Sequence, residues 1–274
     1  MARTIELSDG STIPQIGFGV WQVKPDETEA AVAAALEAGY RHIDTAQMYR
    51  NEGGVGAAVA ASSLDRGDVF LTSKVNNDAH APADTRASVA RTLELLQSDY
   101  VDLMLIHWPM AKSAAGFLDA YEVLLEEKAA GRIRSVGVSN FHAAHLDALV
   151  ERTGVAPVVN QIEVHPYFAN PAVAATTERG IVVESWSPLA SGKLFGDATV
   201  EAVAAEVGAT PAQTVLAWHL ATGKIILPKS VTPSRIVENL AAGDVELSAD
   251  QIARIDALDK GEDGRTGPNP EDLN

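Results

Sequence analysis

Eight short apolar runs recur along this chain, each ending in a polar residue, with segments of helical periodicity between them. The runs begin near Gly17, Arg41, Val69, Val101, Ile133, Val158, Ile181 and Lys224. Several, such as VDLMLI from Val101 and KIIL from Lys224, are nearly continuous in apolar character. Such runs suit parallel strands buried on both faces. The intervening segments read as helices. In TRASVARTLELL, Val89, Leu93 and Leu96 recur at helical spacing, and in HLDALVERTG, Leu146, Leu149 and Val150 share a face before a stop at Gly154. TPAQTVLAWHLATG carries Thr210 as N-cap, Pro211 at the first helical position and Gln213 to complete a capping box, and Gly223 ends it. SADQIARIDAL repeats that logic with Ser248 and Gln251.

Strand–helix alternation of this kind points to an α/β barrel or a doubly wound sheet. The doubly wound dinucleotide fold is disfavoured. Gly17 and Gly19 give GFG, but the next glycine is Gly39, so no GxGxxG follows a first strand. The expected fold is therefore a (β/α)8 TIM barrel, which takes about 250 residues. The first 15 residues add an N-terminal β-hairpin turning at Asp9-Gly10, and the SADQ segment adds an extra C-terminal helix. No Ser/Gly linker or charge block divides the chain, so one domain is expected over 1–274.

The formal net charge of −16 argues against a general nucleic-acid binder, which needs a basic face. It makes any local basic cluster more informative. No apolar run approaches the roughly 18 residues of a membrane span, and MARTIELSDG lacks the apolar stretch of a signal peptide. With no cysteine, disulfides and cysteine-ligated metal are excluded, and a cytoplasmic location is expected. His142 and His145 lie three apart without an HExxH pattern and read as helix-surface residues, with no metal expected.

In a barrel the C-terminal strand ends share one face, where active sites of this fold lie. That face should gather Asp44 and Tyr49 from HIDTAQMY, Lys74 from FLTSK and His107 from VDLMLIH. Each alone has an ordinary structural reading: a turn aspartate, a tyrosine over a loop, a snorkelling lysine, a satisfied histidine. Together they form a proton-delivery group. An ammonium near tyrosine should stabilise the phenolate and lower the pKa from about 10. An aspartate can hold the lysine, and a neutral histidine can hydrogen-bond a substrate oxygen. Further along, Lys229 and Arg235 flank a loop that opens a helix near Ser234. Backbone N–H groups, a helix N-terminus and two cations suit a phosphate.

The chain resembles the aldo-keto reductases, and within them the bacterial branch of 2,5-diketo-D-gluconate reductases. The motifs that carry the likeness span nearly the whole length: GFGVWQV, GYRHIDTAQMYRNEGGVG, LTSK, VDLMLIHWP, GRIRSVGVSNF, VVNQIEVHPY, ESWSPLASG and LPKSVTPSRIVENL. The resemblance implies NADPH-dependent reduction of aldehydes and ketones, with Tyr49 as proton donor, Asp44 and Lys74 tuning it, and His107 placing the carbonyl. It implies that Ser139, Asn140 and Gln161 hold the nicotinamide carboxamide and that Trp186 stacks on the ring. Ser187, Leu189 and Ser191 would lie along the pyrophosphate. Lys229, Ser230, Val231, Thr232 and Arg235 would surround the adenosine 2′-phosphate, Asn239 would contact the adenine, and Leu227 would be a further cofactor-binding residue. Trp21, Asn76 and Trp108 would line the substrate pocket. Substrates would be small polar carbonyls such as α-dicarbonyls or keto sugars, and the protein a monomer with neither a nucleic-acid nor a membrane partner.

The sequence also departs from the family. Val75 and Asn76 follow Lys74 where relatives commonly carry Leu-Trp, the loop MAKSAAG after Pro109 is short, and the tail GEDGRTGPNPEDLN is acidic and rich in glycine and proline. These segments bear on substrate choice. Two other classes fit the same barrel: a nucleotide-binding regulatory protein, and a Schiff-base lyase using Lys74.

Overall fold

The computed structural model describes residues 3–113 and 116–273. Ala114 and Ala115, part of the short loop after Pro109, lie outside the described residues. A hairpin of β1 (Thr4–Glu6) and β2 (Thr12–Pro14) opens the chain, paired antiparallel and turning through Gly10 at φ 83°. Eight parallel strands follow: β3 (Phe18–Gly19), β4 (His42–Asp44), β5 (Phe70–Val75), β6 (Val101–Ile106), β7 (Ile133–Ser139), β8 (Val159–Glu163), β9 (Val182–Trp186) and β10 (Ile225–Ile226). They lie side by side in chain order. A parallel bridge between Ile16 and Ile226, with Gly17 N–H donating to the Ile226 carbonyl at 2.8 Å, joins the last strand to the first and closes the barrel. The expected strand starts are thus met to within a residue.

The helices form the outer layer: α1 (Pro25–Ala38), α2 (Glu52–Ala61), α3 (Pro82–Leu96), α4 (Phe117–Ala129), α5 (Ala143–Thr153), α6 (Ala172–Thr177), α7 (Ala198–Val207), α8 (Pro211–Ala221), α9 (Pro233–Leu240) and α10 (Ala249–Asp256). Thr210 and Ser248 cap α8 and α10 through the expected capping boxes. Gly154 ends α5 at φ 72°, a left-handed turn that glycine adopts without a Cβ penalty. The sequence reading missed α7, which Asp197 caps by accepting from the N–H groups of Thr199 and Val200. It also put Val150 on the buried face of α5; Leu146 and Leu149 are buried there, but Val150 is exposed.

The main core lies between strands and helices, where Val32, Leu36, Val55, Val89, Leu124 and Leu146 pack against Ile43, Leu71, Met104 and Val136. A smaller cluster plugs the barrel's N-terminal end. Leu7 and Ile13 of the hairpin meet Leu103, Leu105, Val159 and Ile225 there. Gly137 lets the strands close on one another, since a Cβ at that position would lie 2.8 Å from the Val159 carbonyl oxygen. With one end stoppered, the polar strand ends at the other form the site.

Candidate active site

Asp44 is the last residue of β4, and a short 3-10 turn over Gln47–Tyr49 lifts Tyr49 above it. Lys74 comes from β5 and His107 directly follows β6. The fold brings the four together. The fully buried Lys74 ammonium donates to Asp44 Oδ1 at 2.7 Å and to the Thr45 carbonyl at 2.9 Å. It lies 5.0 Å from the centre of the Tyr49 ring. The imidazole of His107 meets that ring edge-on, with centres 5.6 Å apart.

The electrostatics follow from burial and one cation. Burial works against the Lys74 ammonium, but Asp44 and Tyr49 outweigh it and hold its pKa above the ordinary lysine value. Burial, with Lys74 adding to it, pushes His107 well below the usual histidine range, so its imidazole is neutral. Tyr49 corrects the sequence reading. The ammonium does act to lower its pKa, but burial is the larger effect and the phenol lies above its ordinary value. Lys74 limits that rise without reversing it.

Ser139 ends β7 and Asn140 follows it, Gln161 lies within β8 and Trp186 ends β9, and they are linked. Ser139 Oγ donates to the backbone carbonyl of Gln161 at 2.8 Å. The Asn140 amide donates to the His107 carbonyl and to Ser139 Oγ, each at 3.0 Å, and its Oδ1 accepts the Trp186 indole N–H at 2.8 Å. Asn140 sits at φ 65°, a left-handed conformation that asparagine tolerates better than most residues. Gln161 Nε2 donates to Asp44 Oδ2 at 2.8 Å and to Glu184 Oε2 at 2.7 Å.

The loop after β9 carries Ser187, Ala190 and Ser191 at φ 49°, 49° and 53°. Three non-glycine residues held in this region within five positions are a costly arrangement of the kind found at ligand clamps. Leu189 lies among them, half-buried. After β10, Leu227 and Ser230 are buried, while Lys229, Val231, Thr232 and Arg235 are exposed around the start of α9. Thr232 N–H donates to Ser230 Oγ at 3.1 Å. Asn239 is buried near the end of α9.

Trp21, half exposed, follows β3, and buried Trp108 follows His107. Asn76 donates to Asp78 Oδ1 at 2.8 Å and borders a cleft of about 640 Å3 that also touches Gln47, Arg50, Glu52 and Arg91. None of the four clustered residues lines that cleft, so we place the chemistry at the barrel mouth, where the buried charges converge.

Sequence reasoning missed three features. Glu184 is a fully buried carboxyl inside β9, legible only as one charge in the apolar stretch IVVESW. Glu163 anchors the tail: its Oε1 accepts from Thr266 N–H at 2.6 Å and its Oε2 from Gly267 N–H at 3.0 Å. Finally, His145 is not a surface residue; it is buried against Phe117 and Phe141. Among the described residues no cluster of His, Cys, Asp or Glu is arranged to hold a metal ion. No helix among them is long and apolar enough to cross a membrane.

Residues 15–260 match the model of the aldo/keto reductase family. The chain belongs to the aldo-keto reductases. It is 46% identical to a methylglyoxal reductase, DkgA, of Yersinia pestis over 99% of this chain and 97% of that one. It is 45% identical to an aldo-keto reductase of Mycolicibacterium smegmatis over 100% and 99% of the two chains. A Gox0644 variant solved in complex with NADPH is 40% identical and superposes with a TM-score of 0.95, covering 100% of this chain and 99% of that one. With family membership go NADPH as cofactor and carbonyl reduction as the class of reaction.

Proposed function

We propose that this barrel, acting as one domain, reduces small polar carbonyl compounds, with α-dicarbonyls and keto sugars as the substrate classes, and that Tyr49 delivers the proton. The observation that carries this reading is the cluster at the barrel mouth. A tyrosine kept protonated by burial faces a neutral histidine, and a lysine paired to Asp44 lies beside it. The α-dicarbonyl class rests on the likeness to the Yersinia methylglyoxal reductase, and the keto sugars on the sequence resemblance to the 2,5-diketo-D-gluconate reductase branch.

The residues present fit NADPH. Gln161 retains a carboxamide oxygen that accepts no bond from the described residues, and the indole of Trp186 is partly exposed beside it. Lys229 and Arg235 are exposed with no ion-pair partner among the described residues, Lys229 in the loop before α9 and Arg235 in its first turn. Gln161, Ser139 and Asn140 would hold the nicotinamide carboxamide, Trp186 the ring, Ser187, Leu189 and Ser191 the pyrophosphate. Leu227, Lys229, Ser230, Val231, Thr232, Arg235 and Asn239 would hold the adenosine end. When bound, the cofactor supplies the hydride to the carbonyl carbon. His107, neutral, donates a hydrogen bond to the carbonyl oxygen and orients it. Tyr49 gives its phenolic proton to that oxygen as negative charge develops, completing the alcohol. Lys74, held by Asp44, stabilises the phenolate left behind. Trp21, Asn76 and Trp108 border the substrate.

The pairing of Lys74 disfavours the Schiff-base alternative. A nucleophilic amine must lose its proton, and here Asp44 and Tyr49 hold it on. The test is a panel of carbonyls followed by NADPH absorbance, run with Tyr49→Phe alongside. Wild type should turn over α-dicarbonyls, and the variant should lose about 10²-fold or more in kcat with NADPH affinity nearly intact. A variant retaining near wild-type kcat would remove Tyr49 from its role.

A further inference from the structure

Three buried polar side chains on different strands meet at one nitrogen. Gln161 of β8 sends both amide hydrogens to carboxyl oxygens, one on Asp44 of β4 and one on Glu184 of β9. Glu184 is the register partner of Gln161 across the β8–β9 ladder, so the strands themselves set this contact. An amide nitrogen has two hydrogens, and both are used. The amide oxygen is the atom left over.

Glu184 has no cation of its own. Lys74 bonds Asp44, and the nearest other basic group, His42, lies 3.7 Å from Glu184 Oε1 and is kept neutral by burial, its pKa brought down to about 3. Asp44, Lys74, His42 and Tyr49 are the titratable groups facing it. Burial, with Asp44 adding to it, pushes the Glu184 carboxyl up to about 8. An unpaired buried acid of this kind is costly, and apolar neighbours would fill the space more cheaply. Its Oε2 is occupied by the Gln161 hydrogen bond, which makes orientation of that amide its visible use.

We propose that Glu184 is a positioning residue for the cofactor: with Asp44 it takes both amide hydrogens of Gln161, so that the Gln161 carbonyl oxygen is presented to the carboxamide N–H of nicotinamide. The proposal rests on Gln161 being a cofactor residue, as read above. Without Glu184, one amide hydrogen has no acceptor and Asp44 alone holds the amide.

The experiment compares Glu184→Met with Glu184→Gln, measuring NADPH and NADH affinity by quenching of tryptophan fluorescence and the melting midpoint by circular dichroism. Glutamine can still accept from Gln161; methionine cannot. E184M should weaken both cofactors by about tenfold, the worth of one good hydrogen bond, because both share the nicotinamide. E184Q should stay within about twofold of wild type. In a Gln161→Ala background, E184M should cost nothing more, since Glu184 acts through Gln161. If E184M gives no cooperative melt, Glu184→Ala, which also cannot accept, is read in its place. A folded E184M that binds both cofactors like wild type overturns the proposal, as does an E184Q as damaged as E184M. If Gln161→Ala itself binds NADPH like wild type, the cofactor reading of Gln161 fails first, and that outcome is separate from any result at Glu184.

Discussion

The indole N–H of Trp186 donates to Asn140 Oδ1 at 2.8 Å, which ties the aromatic expected under the nicotinamide to an amide expected at its carboxamide. One hydrogen bond thus links two parts of the candidate nicotinamide site. NADPH binding should therefore change the surroundings of Trp186 more than those of Trp21, Trp108 or Trp218, and quench its emission. Trp186→Phe should remove much of that quench. Equal quenching in the variant would assign the responding indole elsewhere.

Lys74 sits between two roles, as partner of Asp44 and as neighbour of Tyr49. Lys74→Met removes the cation from a buried pair, which typically costs about 3–5 kcal/mol of stability. It also removes the influence that opposes burial at Tyr49, so the phenol pKa should climb further. Turnover should fall about 10²-fold or more, and the alkaline limb of the kcat/KM profile should move to higher pH. Adding Asp44→Asn should recover much of the melting temperature without recovering turnover. An alkaline limb that stays in place would separate Lys74 from Tyr49, the proposed proton donor.

Much of the site was legible because it is built from strand ends. A barrel closes in chain order, so the polar residues that terminate HID, FLTSK and VDLMLIH had to converge, and Asp44, Lys74 and His107 do. The sign at Tyr49 was not legible. It depends on how deeply the phenol is covered, and depth is a property of the packed loops. Glu184 was visible as a charge in an apolar run, but its partner Gln161 is 23 positions away and is set by the β8–β9 register. The tail was least legible. Glu163 accepts from the backbone of Thr266 and Gly267, more than 100 positions on, and a Cβ at Gly267 would lie 2.4 Å from the Trp186 ring. Composition marks that tail as acidic and rich in glycine and proline; only the closed barrel shows it drawn over the aromatic.

Glu184 also makes a stability prediction. Its carboxyl rises from the ordinary 4.5 to about 8 in the folded chain. Between those values the unfolded chain has released the proton and the folded chain keeps it. The unfolded state then binds fewer protons, so stability falls as pH rises through the window. Glutamine cannot titrate. Glu184→Gln should melt close to wild type at pH 5 and several degrees above it at pH 8, given roughly 2–4 °C per kcal/mol for a chain of this size. Melting curves that stay parallel across this range would contradict a protonated Glu184.

Preference for NADPH over NADH should sit in Lys229 and Arg235. The 2′-phosphate is the chemical difference between the two cofactors, and the chain's net charge of −16 opposes any anion. Local charge must overcome that field. Lys229 and Arg235 are both exposed and have no ion-pair partner among the described residues, and they flank the first turn of α9, whose backbone N–H groups point outward. Arginine can grip a phosphate through two parallel N–H groups, which lysine cannot. A charge-assisted hydrogen bond is worth enough to change affinity roughly 10- to 100-fold. Arg235→Ala should weaken NADPH by that factor and NADH far less. It should also flatten the salt dependence of NADPH binding, because a screened contact has gone. Titrations of both cofactors at low and high salt check this. Parallel losses for NADPH and NADH would mean that Arg235 shapes the loop and does not read the phosphate.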